Sequence, residues 1–245
     1  MCSKKPPSFD RAWLSELARG AQKTFDNADA LYREAKLLGA AGALGRALFL
    51  HQISLEECAK IENVGAWATS LLAGYAVNDK NVLAGLASHA RKNRTNAYML
   101  EGSAEEQAAR ERGDWKAAGE EFKKLQAEFH EKSNDAKNAS LYVDFEDGKF
   151  VAPIERVTKD MLDETAARNE MFLRLMYPKL EMLLRWDKAP EEAQEAIVAF
   201  VELAEAIKAE KPDDAMAAIN KLIGDFLEIE RARRAKKPGT GERDD

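Results

Sequence analysis

His89 is one of three histidines in the sequence, and its neighbours are residues that acid–base chemistry on an anionic substrate would need. On a helical wheel it shares a stripe with Asn93 and Asn96, and Lys92 lies about 60° to one side. An imidazole exchanges protons near neutral pH, and an ammonium group can hold a phosphate. A lone histidine on an apolar face is more often a satisfied core residue, so both interpretations stay open.

The segment 45–64, GRALFLHQISLEECAKIENV, contains charged residues at unexpected positions. On the wheel Arg46, Glu57 and Lys60 fall inside the main apolar stripe. Burying such charges costs on the order of several kcal/mol per ion, because each ion loses its hydration, unless the charges are paired. Glu57 and Lys60 are three residues apart and Glu56 and Lys60 four apart, so either pair can form along a helix. The pattern fits a structural salt bridge or a polar cluster facing a cleft between helices.

Arg46 and His51 form a second candidate pair, with the spacing Arg-x4-His. Such a string arises by chance in about half of chains with this composition, so it is weak alone. On a straight helix the two residues lie about 140° apart. His130 belongs to a polar segment, and we expect it to be exposed.

Arg91, Lys92 and Arg94 make the densest basic run before the C-terminal tail, and they can attract a phosphate backbone. A solvated helix face is the other interpretation. The histidines lack the HxxxH and HExxH spacings of zinc sites, and the ExxH of di-iron bundles is absent. No nucleotide-binding glycine motif occurs either. We therefore expect no metal and no cofactor.

Helical spacing of apolar residues dominates the chain. It predicts helices over 9–38, 43–76, 79–100, 104–138, 158–186, 190–209 and 212–234. Asp147-Gly148, between β-branched and aromatic residues, predicts a hairpin that Pro153 ends. We expect a helical bundle over 9–186, an appended helical pair over 187–236 and a disordered tail over 237–245.

The composition fits this all-α expectation. The chain has 245 residues with only 14 Gly and 7 Pro, which disfavours a large all-β fold. A net charge of −6 excludes a globally basic nucleic-acid coat but permits a local basic patch. Cys2 and Cys58 are too few for a disulfide framework. The first residues lack the apolar core of a signal peptide, and no apolar run is long enough for a membrane span. We expect a cytoplasmic protein that does not contact membranes.

These segments together resemble the AbiV-type abortive-infection proteins of the HEPN superfamily. The matching positions are Arg46-Ala47, Glu56-Glu57, Lys60, His89, Lys92, Leu141 to Asp144 and Pro153. Ser54 stands where the family usually has alanine, and a long polar helix is inserted. The resemblance covers about residues 10–180 and leaves 188–236 outside it.

This resemblance implies an all-α HEPN-like bundle, often dimeric, with one short β-hairpin. Many HEPN proteins are metal-independent endoribonucleases. In those, a histidine assists attack by the ribose 2′-OH and an arginine stabilises the phosphorane charge. AbiV-like proteins are associated with shutting down translation in phage-infected bacteria.

Carried over residue by residue, the resemblance implies two alternative sites. In the favoured one His89 is the acid/base, Glu57 orients it, and Lys92 or Arg46 holds phosphate. Lys60 belongs to the same polar set. In the alternative, Arg46 and His51 form the catalytic pair. Arg91, Lys92 and Arg94 would bind RNA in either case.

Three functions are compatible with the sequence. The first is a toxin that cleaves tRNA or mRNA, or acts on a ribosome-associated target, with a phage-encoded activator or antitoxin and a homodimeric form. The second is a non-catalytic HEPN-like module that senses a phage protein or blocks translation by binding. The third is a helical scaffold in which the charged stripe is only a salt bridge. Only the enzyme predicts new RNA ends that disappear with His89→Ala.

Overall fold

The computed structural model describes residues 8–97 and 100–210 of the chain. It divides the chain after Pro190, and the first compact unit spans Ser8–Pro190. The described part of the other unit begins at Glu191. The predicted helical pair over 187–236 and tail over 237–245 stay predictions, since residues 211–245 lie outside the described part.

The first unit is a helical bundle with one small hairpin, which confirms the all-α expectation. In chain order the elements are α1 (Arg11–Ala40), α2 (Leu44–Leu72), α3 (Asp79–Ala87), α4 (His89–Ala97), α5 (Ala104–Glu111), α6 (Trp115–Leu141), β1 (Asp144–Glu146), β2 (Lys149–Val151), α7 (Pro153–Arg156) and α8 (Lys159–Lys188). Helix α9 (Pro190–Glu210) follows them. No helix among the described residues is long and apolar enough to span a membrane.

Helix α2 is the central element, because α1, α4, α6 and α8 all pack against it. Leu55, Cys58 and Ile61 of α2 meet Phe172 and Met176 of α8 in the core. A helix that packs against neighbours on several sides has no broad solvent-exposed face opposite its apolar face. Polar side chains of α2 can therefore point into the bundle and still find partners there.

The helix predicted over 79–100 is two helices, so that prediction was wrong at Ser88. Asn78 caps α3, whose last residue is Ala87. Ser88 has extended backbone angles, φ −83° and ψ 116°, and its Oγ accepts a hydrogen bond from the Arg91 amide. A serine in this conformation is a favoured N-cap. His89 consequently becomes the first residue of a new helix.

The polar helix predicted over 104–138 is also two helices. Gly113 has φ +73°, a conformation that glycine adopts without strain, and it separates α5 from α6. The Asp114 side chain then caps α6 by accepting from the Ala117 amide. The helix predicted over 43–76 stops at Leu72, before Gly74, whose φ of +73° is typical of a helix C-terminus.

The predicted hairpin is confirmed. Strands β1 and β2 pair antiparallel with Phe145 opposite Phe150. Asp147 and Gly148 have φ values of 47° and 82°, as a two-residue type I′ turn requires. Arg156 of α7 ties the hairpin down through ion pairs with Asp144 at 2.7 Å and Glu146 at 2.5 Å.

Candidate active site on helices α2, α4 and α6

Glu56 of α2 is the centre of the most concentrated polar arrangement in the bundle. It is only 3% exposed. Its Oε2 accepts from Lys92 Nζ at 2.8 Å and pairs with His89 Nδ1, both of α4. Its Oε1 accepts from Lys137 Nζ of α6 at 3.1 Å. We call these four residues the Glu56 cluster.

The cluster contains more positive than negative charge. Burial acts to raise the pKa of Glu56, but hydrogen bonds from Lys92, His89 and Lys137 outweigh burial and hold that pKa below its ordinary value. One carboxylate therefore faces two ammonium groups, and Lys92 is itself buried. Buried charge without a counterion is costly. The surplus favours a second anion close to these side chains.

His89 connects the cluster to solvent. Its side chain is 57% exposed although its Nδ1 is hydrogen-bonded to a buried carboxylate. An ionised carboxylate only accepts, so Nδ1 carries the proton in that contact and Nε2 of the neutral ring is an acceptor. A carboxylate behind an imidazole fixes the orientation of the ring. No hydrogen bond to Nε2 is formed within the described residues, so this atom is available to a substrate.

The predicted orienting residue, Glu57, does not contact His89. It pairs with Lys60 of its own helix, at 2.5 Å between Oε1 and Nζ. Adjacent helical residues point about 100° apart, so only one of Glu56 and Glu57 can face α4. The helical-wheel prediction favoured Glu57 because it assumed that α2 has a single buried face. In the structure α2 packs against helices on several sides, so Glu56 is buried as well. The orienting position therefore belongs to Glu56 in the structure.

The alternative pair, Arg46 and His51, is not brought together. Arg46 is exposed near the start of α2 and forms no ion pair within the described residues. His51 is 1% exposed, accepts the Asn169 side-chain amide at 3.0 Å, and meets the Tyr32 ring edge-on. Burial, with a smaller contribution from Lys36, lowers the pKa of His51 to about 4. His51 is a neutral core residue in this fold.

The predicted RNA-binding run is divided between two faces of α4. Lys92 is buried on Glu56, whereas Arg91 and Arg94 are exposed. These two arginines line a separate cavity of about 430 Å³. On the helical wheel Arg91 and Arg94 already point away from the stripe of His89, with Lys92 about 60° to one side of that stripe.

Sequence reasoning missed one residue of the Glu56 cluster and misplaced one residue outside it. Lys137 lies 81 residues from Glu56, and no local pattern links them. His130, expected to be exposed, is half-buried, and its ring nitrogen lies 3.3 Å from the Asn93 amide nitrogen. The described residues include no group of three or more His, Cys, Asp or Glu side chains placed to hold a metal ion.

Comparison with known proteins connects this arrangement to one family. The family model HEPN_AbiV, described as AbiV, matches residues 16–174, a range that includes the whole Glu56 cluster. The chain is 51% identical over 112 residues to the uncharacterized protein y4gJ of Sinorhizobium fredii strain NBRC 101917 / NGR234. That alignment covers 46% of this chain and 58% of y4gJ. No solved structure matches the chain.

Proposed function

This chain belongs to the AbiV family of HEPN proteins, and we propose that it acts in abortive infection by cutting RNA at the Glu56 cluster and so stopping translation. The observation that carries the proposal is His89, an exposed imidazole held from behind by a buried carboxylate. The proposed substrate is tRNA, mRNA or a ribosome-associated RNA. The proposal includes a cytoplasmic homodimer and a phage-encoded activator or antitoxin.

The reaction is an internal transesterification that needs no metal. His89 Nε2 takes the proton of a ribose 2′-OH, and the 2′-oxygen attacks the adjacent phosphorus. The bond from phosphorus to the 5′-oxygen breaks, and that oxygen takes a proton from water. The hydroxide left behind removes the proton from His89, which restores the neutral imidazole. The products are a 2′,3′-cyclic phosphate and a 5′-OH end. Lys92 and Lys137 act through their charge, which stabilises the extra negative charge of the phosphorane.

Purified protein incubated with total bacterial RNA and tRNA in EDTA tests this proposal. The matched variants are His89→Ala and His130→Ala, which remove a histidine from the cluster and from outside it. Since general base catalysis contributes about 10²–10⁴-fold, His89→Ala should cut at least 100-fold more slowly. His130→Ala should keep its activity. Equal cleavage by His89→Ala, in a variant with an unchanged circular dichroism spectrum, would refute the assignment.

A second candidate function is binding without catalysis, and the β1–β2 hairpin favours it. Five large apolar side chains there are 58–80% exposed: Tyr142, Val143, Phe145, Phe150 and Ile154. Two of them, Phe145 and Phe150, pack edge-on with ring centroids 5.1 Å apart. Exposed apolar side chains grouped in this way are typical of a protein interaction site. In this alternative the protein senses a phage protein or blocks translation through that surface.

Growth arrest in cells separates the two functions. The nuclease predicts that His89→Ala abolishes arrest and that the double variant Phe145→Ser/Phe150→Ser leaves RNA cleavage in vitro intact. Binding without catalysis predicts the reverse, with arrest retained in His89→Ala and lost in the hairpin variant. A scaffold role predicts no arrest with any of these proteins.

A further inference from the structure

A cavity of about 430 Å³ lies among α2, α3, α4 and α6. Its volume is within the range of small-molecule pockets, about 300–1,000 Å³. Helix α4 contributes Arg91 and Arg94, α2 contributes Asn63 and Trp67, and α6 contributes Gln126. This cavity is separate from the Glu56 cluster, none of whose members lines it.

The charge of the cavity is entirely positive. No Asp or Glu is among its lining residues. Other arginines in the described part of the chain pair with carboxylates, among them Arg19, Arg33, Arg110, Arg156, Arg168 and Arg174. Arg91 and Arg94 form no such pair there, although acidic residues outnumber basic ones 43 to 37. Two guanidinium groups without counterions in one cavity favour an anion, and guanidinium geometry suits phosphate.

The uncharged lining suits a base. Asn63, Asn81 and Gln126 line the cavity with side-chain amides. The Asn63 amide oxygen accepts from Thr95, and the Gln126 amide nitrogen donates to the Arg94 carbonyl. An amide has two donor hydrogens and two acceptor lone pairs, so both groups keep capacity for the polar edge of a nucleobase. Trp67 supplies an apolar wall and is held by edge-on packing against Trp13, with ring centroids 5.1 Å apart. Aromatic surfaces and arginine planes are what unstacked RNA bases contact in proteins. The cavity thus offers partners for both the phosphate and the base of one nucleotide.

The cavity and the Glu56 cluster share α4. Lys92 faces Glu56, whereas Arg91 and Arg94, one residue before it and two after, line the cavity. Along α2, Asn63 is seven residues beyond Glu56, or about 10 Å. On the strength of this placement we propose that the cavity is a subsite for one nucleotide of the RNA near the nucleotide that is cut at His89. The inference rests on the proposed nuclease function and identifies where its substrate is held.

The test is binding of a fluorescein-labelled eight-nucleotide RNA with 2′-O-methyl groups throughout, which cannot be cut. Fluorescence anisotropy gives its affinity for the full chain and for Arg91→Ala, Arg94→Ala and Arg112→Ala. Arg112 is the matched control, since it is exposed, lies outside the cavity and has no ion pair within the described residues. Adenosine 5′-monophosphate is the second probe, and its binding is followed by quenching of the tryptophan fluorescence of the chain.

We expect Arg91→Ala and Arg94→Ala each to weaken oligomer binding about tenfold and to lower the salt slope by about 1. Arg112→Ala should bind within twofold of the unchanged protein. Equal affinity of the Arg91→Ala, Arg94→Ala and Arg112→Ala proteins would overturn the subsite. Equal affinities for adenosine 5′-monophosphate and the oligomer would also overturn it, because the ligand would then be a free nucleotide.

The two proposals fail differently. If the oligomer binds through Arg91 and Arg94 but RNA is not cut, the nuclease proposal is wrong and the cavity is still an RNA-binding site. If the Arg91→Ala/Arg94→Ala protein cuts RNA with an unchanged KM, the subsite proposal is wrong and the nuclease proposal is supported. If the chain neither binds the oligomer nor cuts RNA, both are wrong.

Discussion

At Glu56 a single buried carboxylate neutralises side chains from two other helices, so its charge is a condition for packing α4 and α6 on α2. The lowered pKa of Glu56 has a definite consequence for stability. It adds stability that is present above the ordinary value of 4.5 and lost as the pH falls through the lowered pKa. The same charge holds His89, the residue that we propose as the general base. Structure and proposed function therefore depend on one residue.

Glu56→Gln keeps the shape of the side chain but leaves Lys92 and Lys137 without a counterion. We expect the free energy of unfolding to fall by about 3 kcal/mol, since breaking a buried ion pair from one side costs that much. Glu57→Gln is the matched control and should lose less than about 1 kcal/mol, because its partner Lys60 is closer to solvent. Urea denaturation at pH 7 measures both. Equal losses would contradict the central place of Glu56.

His51 should make the fold sensitive to mild acid. Its pKa is about 4 in the folded chain and 6.5 in the unfolded chain, so its contribution is complete above pH 6.5. As the pH falls from 6.5 to 4 the unfolded state alone gains a proton, and stability drops. At about 1.4 kcal/mol per pKa unit the loss approaches about 3 kcal/mol. His51→Gln, which can still accept from Asn169, should lose less over this interval in urea titrations at pH 7, 5 and 4. Parallel curves for the two proteins would refute this.

The break between α3 and α4 decides where His89 lies. With one continuous helix His89 would be an interior residue, whereas Ser88 makes it the first residue of α4. The sequence contained the relevant residue, a serine with N-cap chemistry, but helical spacing on both sides of it hid the boundary. The break between α5 and α6 at Gly113 was obscured in the same way.

Ser88→Ala should cost about 1 kcal/mol of unfolding free energy through loss of the N-cap. It should also slow RNA cleavage, because the start of α4 positions His89. Ser103→Ala is the matched control, since Ser103 caps α5 by accepting from the Glu106 amide at 3.1 Å. It should lose similar stability and keep its cleavage rate. If both variants cut RNA equally fast, the position of His89 does not depend on this cap.

At the scale of the molecule, the net negative charge contrasts with a local positive charge in one cavity. The net charge of −6 would repel RNA from most of the surface, while Arg91 and Arg94 are concentrated in one cavity without carboxylates. The exposed hairpin side chains form a second distinctive surface. A chain with such an apolar surface has a means of self-association, and the family resemblance implies a dimer.

We expect a homodimer, with a mass twice the 27.3 kDa of the chain, in sedimentation velocity at micromolar concentration. If the hairpin forms the contact, Phe145→Ser/Phe150→Ser should sediment as a monomer. A dimer that survives this change would place the contact elsewhere. A monomeric unchanged protein would refute the dimer itself.

Local patterns in the sequence determined the helical class, the hairpin at Asp147-Gly148 and the candidacy of His89 and Lys92. Helical periodicity and turn residues depend on only a few neighbouring positions, so they can be recognised without knowledge of the tertiary structure. Only the tertiary structure decided which carboxylate is buried at the cluster. It also decided that Lys137 contacts Glu56 and that His51 is buried. Each depends on which side of α2 packs against which neighbouring helix. Because α2 is covered on several sides, its own sequence pattern does not indicate these neighbours.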